Sequence, residues 1–399
     1  MSLAGERSDG SGCGGGMSAS CQNTSVFGPV RSLYAIGRQA SVAVLAAMVA
    51  STLMFTATPF LLGPVSQEFG VGRGLAGGIS VVQVGVFAIV NLVVPRFLSP
   101  SQRLYRIALG ALVASGLLSA WTGSFWLLLV FRAFAGAGAG VLTWLAWADA
   151  MRHERSMAAV SAIGPITALV GAPLFAFVAE SGVDAVYSVL ALVAIPGLFT
   201  KLQLVGVTRP SRTRSRSRSN RVLLFALALS TFSGASLFVF ESVAATEVLG
   251  MSPTAASFAF SLNAAAGLVG ARFSRRHVVP GRWLASIGLG AFLTIWGGSP
   301  LWFYIGMIWW GFAFWMSIPG VLLMLAERSL ARDERAGDAQ ALMAFGRAGG
   351  PLMGGAFVDA GSFQGLAVAA SIGLAASGAI VMGVQEGRDR LPVTDVRPD

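Results

Sequence analysis

Three ionisable residues of this chain lie inside long apolar runs. They are Arg132 in 128-LLVFRAFAGAGAGVLTWLAWADA-150, Glu241 in 238-FVFESVAATEVLG-250 and Arg347 in 345-FGRAGGPLMGG-355. A charged side chain in such a run is costly unless it faces water or a partner, so it marks a functional site by default. The arginines could bind an anionic group, and the glutamate could carry a proton.

Glu241 is the leading candidate for a proton site. A carboxylate that faces a cavity within a membrane can take up a proton on one side and release it on the other. The alternative is a glutamate exposed near the end of its helix, as we expect for Glu247 six residues later. The sequence favours neither interpretation.

The two arginines differ in their position within the runs. Arg132 lies about two turns from one end, so its side chain could reach the membrane surface. Arg347 lies near the middle of its run, so it should face a central cavity or pair with an acid. Arg347 could therefore bind a carboxylate-bearing ligand, or it could neutralise a buried glutamate.

The sequence argues against an enzyme. His153 and His277 lie outside the apolar runs, and the chain contains no H-E-x-x-H, G-x-S-x-G or phosphate-binding loop motif. Acids inside the runs are too sparse for a metal site. Cys13 and Cys21 are too few for a disulfide framework. We therefore predict no catalytic residue, no metal and no cofactor.

The composition shows which elements must position these residues. Only 12% of the 399 residues are charged, about half the usual share of a soluble domain. Charge-free runs of 18 or more apolar residues predict membrane-spanning helices. We number twelve predicted spans in chain order: 40–66, 74–95, 107–122, 125–149, 157–179, 184–203, 222–245, 253–271, 283–299, 301–326, 339–358 and 363–385.

The basic residues predict the orientation of the twelve spans. All but three of the 28 fall on the side of the two termini, and the exceptions are Arg73, Arg132 and Arg347. This positive-inside bias predicts cytoplasmic termini in a plasma or inner membrane with an anionic inner leaflet. The run 209-RPSRTRSRSRSNR-221 is then a linker between spans, and we predict no nucleic-acid partner.

Paired features indicate two related halves. Arg96 and Arg272 follow spans 2 and 8, and Pro173 and Pro351 lie 178 residues apart within spans 5 and 11. Asp149 and Glu327 also lie 178 residues apart. A recurring offset indicates an internal repeat. The predicted parts are a tail at 1–39, a bundle at 40–203, a linker at 204–221, a second bundle at 222–385 and a tail at 386–399.

These features resemble the major facilitator superfamily over about residues 40–385. The resemblance rests on the loops 91-NLVVPRFLSPSQR-103 and 267-GLVGARFSRR-276, the helix 131-FRAFAGAGAG-140 and the pair 171-GAPL-174 and 349-GGPL-352. It implies an all-α membrane protein of two parallel six-helix repeats, an alternating-access transporter that works as a monomer. In relatives, the arginine equivalent to Arg132 is associated with proton coupling or substrate binding.

The chain departs from the family at the loop after span 2. The family pattern there is G-x-x-x-D-R-x-G-R, but Asn91 replaces the glycine and Pro95 replaces the aspartate. Because that aspartate helps to latch one conformation in relatives, we expect another latch here. The candidate latch pairs are Arg96 with Asp149 and Arg272 with Glu327.

Small residues and prolines predict close helix packing. In span 4 the pair Gly136 and Gly140 forms a G-x-x-x-G face, with Gly138 on the opposite side. Span 5 carries only part of the antiporter signature of the family, and this weakly favours export. The other packing candidates are Gly164, Pro165, Gly171, Pro173, Gly350 and Pro351.

Polar and aromatic side chains inside the spans are candidates to line a substrate path. They are Thr52, Thr56, Gln83, Asn263 and Trp310, although for each of the polar residues a hydrogen bond between helices is the commoner role. The aromatic residues and the partial signature of span 5 favour proton-coupled efflux of a small amphipathic molecule. Two arginines in the membrane favour the alternative, uptake of a small organic anion. A proton gradient supplies the energy in both cases.

Overall fold

The structure is a computed structural model that describes residues 41–150, 154–202, 218–273, 279–327 and 332–389. Across these residues the chain forms helices joined by short turns, without strands, so the all-α prediction is confirmed. The helices of spans 1 to 12 are, in order, Val42–Phe69; Arg73–Ala76 with Gly78–Phe97; Gln102–Trp121; Phe125–Ala150; Glu154–Ala179; Val183–Leu198; Arg218–Phe238 with Glu241–Glu247; Pro253–Phe273; Pro280–Trp296; Pro300–Glu327; Arg332–Asp359; and Phe363–Asp389.

The membrane character of the helices follows from their length and composition. Within the described part of the chain, nine helical stretches are long and apolar enough to cross a membrane. Spans 6 and 9 are shorter, with 16 and 17 residues. Span 11 begins with the polar segment 332–338, so its mean hydropathy is low. These three helices pack against their neighbours: span 6 on span 3, span 9 on spans 10 and 12, and span 11 on span 7.

All spans differ from their predicted bounds by a few residues, and the differences in spans 7 and 11 change the course of the helix. Span 7 begins at Arg218 rather than 222, and it breaks at Val239 and Phe240. At the break, the N–H of Phe240 donates to the carbonyl of Leu237, three residues back instead of four. Span 11 begins at Arg332, because its first polar turns continue the helix beyond the apolar run.

Tight turns join the helices on one side of the bundle. We call the side where span 1 begins the terminal side and the opposite one the far side. On the far side, Gly70 ends span 1 with φ of 63° and donates its N–H to Ser66 O. Gly361, in the turn after span 11, has a φ of 69°. A glycine in this left-handed conformation lets the next helix begin within a few residues.

The two halves repeat one packing contact. In the first half, Gly136 of span 4 lies against the backbone carbonyl of Gln83 in span 2. In the second half, Gly311 of span 10 lies against the backbone carbonyl of Asn263 in span 8. An added methyl group at either glycine would overlap the facing carbonyl. The glycines therefore permit the close approach of these helix pairs in both halves.

Candidate functional site

The far side is closed by polar contacts between the two halves. Arg73 Nε, at the start of span 2, lies 2.5 Å from Glu247 Oε1 at the end of span 7. The N–H of Gly74 donates to Asp359 Oδ1 at the end of span 11, over 2.8 Å. Both contacts therefore tie span 2 of the first half to the second half.

The halves remain in contact from the far side to the middle of the helices. Ser261 Oγ in span 8 donates to Leu169 O in span 5 over 2.8 Å. At similar depth, Gly85 of span 2 faces Ala348 of span 11. These contacts seal the interface across roughly the far half of the bundle.

A chain of aromatic rings spans the interface. Phe60 of span 1 contacts Phe260 of span 8, with ring centroids 5.1 Å apart. Phe260 contacts Phe238 of span 7 at 5.1 Å, and Phe238 contacts Trp310 of span 10 at 5.5 Å. We call these four residues the aromatic roof. Trp310 is only 6% exposed, so it packs within the roof and does not line an open path as predicted.

Span 11 shows where the interface opens. It contacts span 7 through Gly346 and Gly350. It contacts span 2 through Ala348 and Gly355. The face between these two contact lines points into the interface. The opposite face carries the exposed Leu352, as expected for a surface that meets lipid.

Arg347 lies on the inward face of span 11. Helical spacing places Gln340, Arg347, Pro351 and Val358 on this face. Pro351 and Val358, nearer the far side, are buried, whereas Gln340 and Arg347 are exposed. The interface is therefore open on the terminal side, and we call this opening the central cleft. Arg347 donates from Nε to Met343 O over 3.4 Å.

Span 1 presents a half-buried face beside the cleft. Thr52 and Thr56 are half-buried, and Thr56 Oγ1 donates to Thr52 O over 2.9 Å. The methyl group of Thr56 faces Gly171 of span 5, so Gly171 serves the packing of spans 1 and 5. Because its hydroxyl proton is donated within the helix, Thr56 can offer a substrate only the lone pairs of its oxygen.

Two amides predicted to line the path instead join helices. Gln83 is 2% exposed, and its Nε2 donates to Met54 O over 3.5 Å. Asn263 is half-buried and its Nδ2 donates to Met307 O over 2.8 Å. Gln83 therefore does not line an open cavity, because spans 1, 2 and 4 enclose it.

Glu241 points into the second half and away from the cleft. Its side chain is 0% exposed and lies in the first turn after the break in span 7. Thr294 Oγ1 of span 9 donates to Glu241 Oε1 over 2.8 Å. Glu241 Oε2 is buried, and no described residue forms a hydrogen bond with it. The side chain is therefore neither exposed at a helix end nor part of the cleft wall.

The contacts of Thr294 make the direction of its hydrogen bond with Glu241 depend on whether the carboxyl is protonated. Thr294 Oγ1 lies 2.8 Å from both Glu241 Oε1 and Ala291 O, but the hydroxyl has only one proton to donate. If Glu241 is protonated, it can donate to Thr294, which then donates to Ala291. If Glu241 is ionised, Thr294 must turn its proton to Glu241. Gain or loss of one proton therefore reverses a hydrogen bond between spans 7 and 9.

Arg132 points into the first half. It is 2% exposed, and its Nη2 donates to Ser115 O over 2.8 Å and to Ser119 Oγ over 2.7 Å, both in span 3. Its Cζ lies 4.3 Å above the ring of Tyr187 in span 6. Arg132 thus does not reach the membrane surface. The structure does not bring Arg132, Glu241 and Arg347 together.

Most of the predicted packing residues lie at close helix contacts. Gly140 faces Phe87 O and Val90 of span 2, where an added methyl group would be in tight contact, and Gly350 faces Phe232 O of span 7. Gly164 is an exception, because an added Cβ would meet open space. Pro165, Pro173 and Pro351 lie inside their helices.

The predicted latch on the terminal side stays a prediction. Arg96 and Arg272 are exposed at the ends of spans 2 and 8, and Asp149 is half-buried at the end of span 4. The side chain of Glu327 lies outside the described residues. The far-side contacts of Arg73 and Asp359 were not predicted, because charges at helix ends are usually solvated and give no sign of a partner.

Comparison with known proteins identifies the fold. Residues 43–355 match the sequence profile of the Major Facilitator Superfamily. No functionally curated protein matches the chain. A bacterial homologue of the human lysosomal transporter Spinster, solved in an inward-facing and occupied conformation, is similar with a TM-score of 0.74 and 14% identity, over 92% of this chain and 99% of that one. The human organic anion transporter MFSD10 (TETRAN) is similar with a TM-score of 0.64 and 17% identity, over 86% and 99%.

Proposed function

The chain belongs to the Major Facilitator Superfamily, and we propose that it carries a small amphipathic organic anion by proton-coupled alternating access. Family membership makes it a multi-pass membrane transporter of a small molecule rather than an enzyme. The substrate class, the coupling ion and the direction are our proposals.

One observation carries the proposed substrate class. Arg347 is an exposed guanidinium in the middle of a membrane-spanning helix, on the face that points into the central cleft. The part of the chain that the structure describes places no carboxylate within ion-pair distance of it. A guanidinium in this position offers paired N–H donors to a carboxylate. The name of MFSD10, an organic anion transporter of the same fold, is in keeping with this proposal.

The aromatic roof supports an amphipathic substrate. Phe60, Phe238, Phe260 and Trp310 close the cleft toward the far side with apolar rings. A molecule that binds Arg347 through its anionic group can direct an apolar part toward these rings. Contact with the aromatic roof would then link substrate binding to opening of the interface between the two halves, which transport requires.

We place the proton at Glu241. Its carboxyl has no cationic partner among the described residues, so its ionised form is costly to bury. It sits directly after the break in span 7 and bonds to span 9 through Thr294. A proton that arrives or leaves would change this bond and shift the equilibrium between two arrangements of the second half.

The direction of transport can be inferred from the net charge that crosses the membrane in each transport cycle. Export of a monovalent anion against an entering proton moves two charges across the membrane in one electrical direction. Uptake of the anion with a proton moves none. Each charge contributes about 2.3 kcal/mol per 100 mV of membrane potential, so only the export mode responds strongly to voltage. The signature in span 5 favours export, and we take it as the first mode to test.

The experiment uses proteoliposomes that contain the full chain, with an imposed pH gradient and a potassium diffusion potential. The probes are an aromatic carboxylate and its neutral amide, which has nearly the same shape. We expect transport of the carboxylate only, and about a tenfold higher KM in Arg347→Gln, consistent with loss of a charged hydrogen bond. Arg282→Gln, which removes an exposed arginine at the start of span 9, is the matched control. Equal transport of the amide would contradict the proposal.

The aromatic roof also favours a second candidate, proton-coupled efflux of a neutral or cationic amphipathic molecule. Phe238, the half-buried ring of the roof, can contact an apolar or cationic group without any role for Arg347. Transport of such a compound that is unchanged in Arg347→Gln and lost in Glu241→Gln would support this candidate instead.

A further inference from the structure

The ring of Phe240 lies between the proton site that we propose and the contacts that close the far side. Phe240 belongs to the break in span 7, directly precedes Glu241, and is 0% exposed. We propose that Phe240 is a positioning residue that transmits the protonation state of Glu241 to the closure of the far side. This inference deepens the proposed function and rests on the proton site at Glu241.

Two glycines leave the space that the ring of Phe240 fills. An added methyl group at Gly77, at the junction of the two helices of span 2, would overlap Cζ of the ring. An added methyl group at Gly354 of span 11 would overlap Cε2, on another edge of the same ring. Because Gly77 belongs to the first half and Gly354 to the second, the ring lies in the interface between the halves.

This part of the interface continues directly into the contact that closes the far side. Gly74 precedes Gly77 by three residues, and Gly355 follows Gly354. The backbones of Gly74 and Gly355 lie against each other. Three residues make nearly one turn of a helix, so the ring of Phe240 packs within about one turn of this contact. A movement of the ring therefore disturbs the packing that holds the far side closed.

The backbone connects this ring to the carboxyl of Glu241. Phe240 caps the helix Glu241–Glu247, and its carbonyl accepts the N–H of Ala244 over 2.8 Å. Consecutive residues of a helix point about 100° apart, so the ring faces span 2 while the carboxyl faces span 9. Glu247, at the other end of this seven-residue helix, pairs with Arg73 of the first half. One short helix thus connects the proton site with two contacts to the first half.

The charge of Glu241 supplies the driving force. No cation among the described residues pairs with Glu241, so its ionised form is costly to bury. Ionisation therefore favours a position of the helix Glu241–Glu247 in which water reaches the carboxylate, and this movement withdraws the ring of Phe240 from the interface. Protonation removes the cost and lets the ring return. The charged groups beside this helix at the far side, Arg73, Glu247 and Asp359, keep their charges at mildly alkaline pH.

The test is a double-mutant cycle on the accessibility of the far side. The reporter is a cysteine at Gly63, where an added Cβ meets nothing within 4 Å, in the full chain with Cys13→Ser and Cys21→Ser. A membrane-impermeant maleimide is applied from the far side of proteoliposomes at one mildly alkaline pH. Glu241→Gln imitates the protonated carboxyl, so we expect labelling to slow about threefold or more. In the presence of Phe240→Leu, Glu241→Gln should no longer change the rate.

Phe225→Leu is the matched control, because it makes the same change at a ring of span 7 that is 60% exposed. It should leave the effect of Glu241→Gln intact. The proposal is overturned if Glu241→Gln does not slow labelling in the otherwise unmodified reporter chain. It is also overturned if Glu241→Gln slows labelling equally with and without Phe240→Leu.

The cycle also separates this inference from the proposed function. It needs no substrate, so a failure to transport an anion or to couple transport to protons would count against the proposed function alone. If Phe240→Leu does not fold, as judged by thermal unfolding, Phe240→Met decides in the same cycle. Methionine is flexible where the ring is rigid, so it should also abolish the effect of Glu241→Gln, and an effect that persists would overturn the proposal.

Discussion

The backbone N–H of Gly74 donates to the carboxylate of Asp359 over 2.8 Å and joins the two halves at the far side. Gly74 also lies against the backbone of Gly355, within the same contact. The halves can come this close because neither glycine carries a side chain. Alternating access requires this contact to break and re-form in each cycle, so its residues should control which side is open.

The first prediction concerns Gly74→Ala. An added Cβ would overlap both the Asp359 carboxylate and the Gly355 carbonyl, and the carbonyl cannot move without its helix. Overpacking of this kind costs about 1–3 kcal/mol, so the closed far side should open more often. A cysteine at Gly63, which lies three residues beyond Phe60 toward the far side, should then react faster with a membrane-impermeant maleimide from the far side.

The chain offers a matched control for this variant. Gly78→Ala adds the same methyl group one turn later, where an added Cβ meets nothing within 4 Å. It should leave the labelling rate unchanged. Equal rates in both variants would show that the contact between Gly74 and Asp359 does not hold the far side closed.

The second prediction concerns the ion pair between Arg73 and Glu247. The side chains are 47% and 30% exposed, so solvent screens their attraction and the pair is worth about 0.2–1 kcal/mol. Glu247→Arg should therefore speed labelling at Gly63→Cys by only a small factor, and Arg73→Glu combined with Glu247→Arg should restore the original rate. No recovery in the double variant would mean that the two charges act independently.

The twelve spans were predictable because hydrocarbon excludes charge, and the gaps between charged residues therefore mark the helices. The internal repeat was predictable for the same reason, because charged residues such as Arg96 and Arg272 occur at equivalent loops of the two halves. The sequence did not show that the side chains of Arg132 and Glu241 point into their own halves. Lipid and protein interior are equally apolar, so the residues around a charge do not show which face of the helix is buried.

The break in span 7 was also missed. Its residues Val239 and Phe240 are apolar and continue the run, so no proline or glycine marks the end of the helix. Thr294, the partner of Glu241, lies 53 residues away, and no spacing rule links them. The sequence did contain one sign of a polar partner for Arg132. Ser115 and Ser119 are four residues apart and therefore lie on one face of span 3.

The third prediction concerns the seam between spans 7 and 11. Gly350 lies against the carbonyl of Phe232, and an added Cβ would overlap it. Gly350→Ala should therefore lower the unfolding temperature of the purified protein, with a loss of about 1–3 kcal/mol. Gly383→Ala in span 12, where an added Cβ meets open space, should leave it nearly unchanged. Similar unfolding temperatures for the two variants would mean that the seam can widen without cost.

The fourth prediction separates a proton carrier from a packing residue at Glu241. Glu241→Gln keeps the size of the side chain and can still accept a hydrogen bond from Thr294, but it cannot exchange a proton. We expect loss of transport driven by a pH gradient, by about tenfold or more, with exchange of substrate across the membrane retained. The measurement compares the two modes in the same proteoliposomes.

Thr294 provides the test of the hydrogen-bond mechanism. Thr294→Val has almost the same shape but leaves Glu241 Oε1 without its donor, so the ionised carboxyl loses its only described hydrogen bond. Proton release should then limit transport over a wider range of pH, and a higher pH on the releasing side should restore the rate, whereas Thr294→Ser should keep the original profile. If Thr294→Val and Thr294→Ser have the same pH profile of transport, the hydroxyl of Thr294 takes no part in proton release. If Glu241→Gln loses exchange together with driven transport, Glu241 holds the second half together rather than carrying a proton.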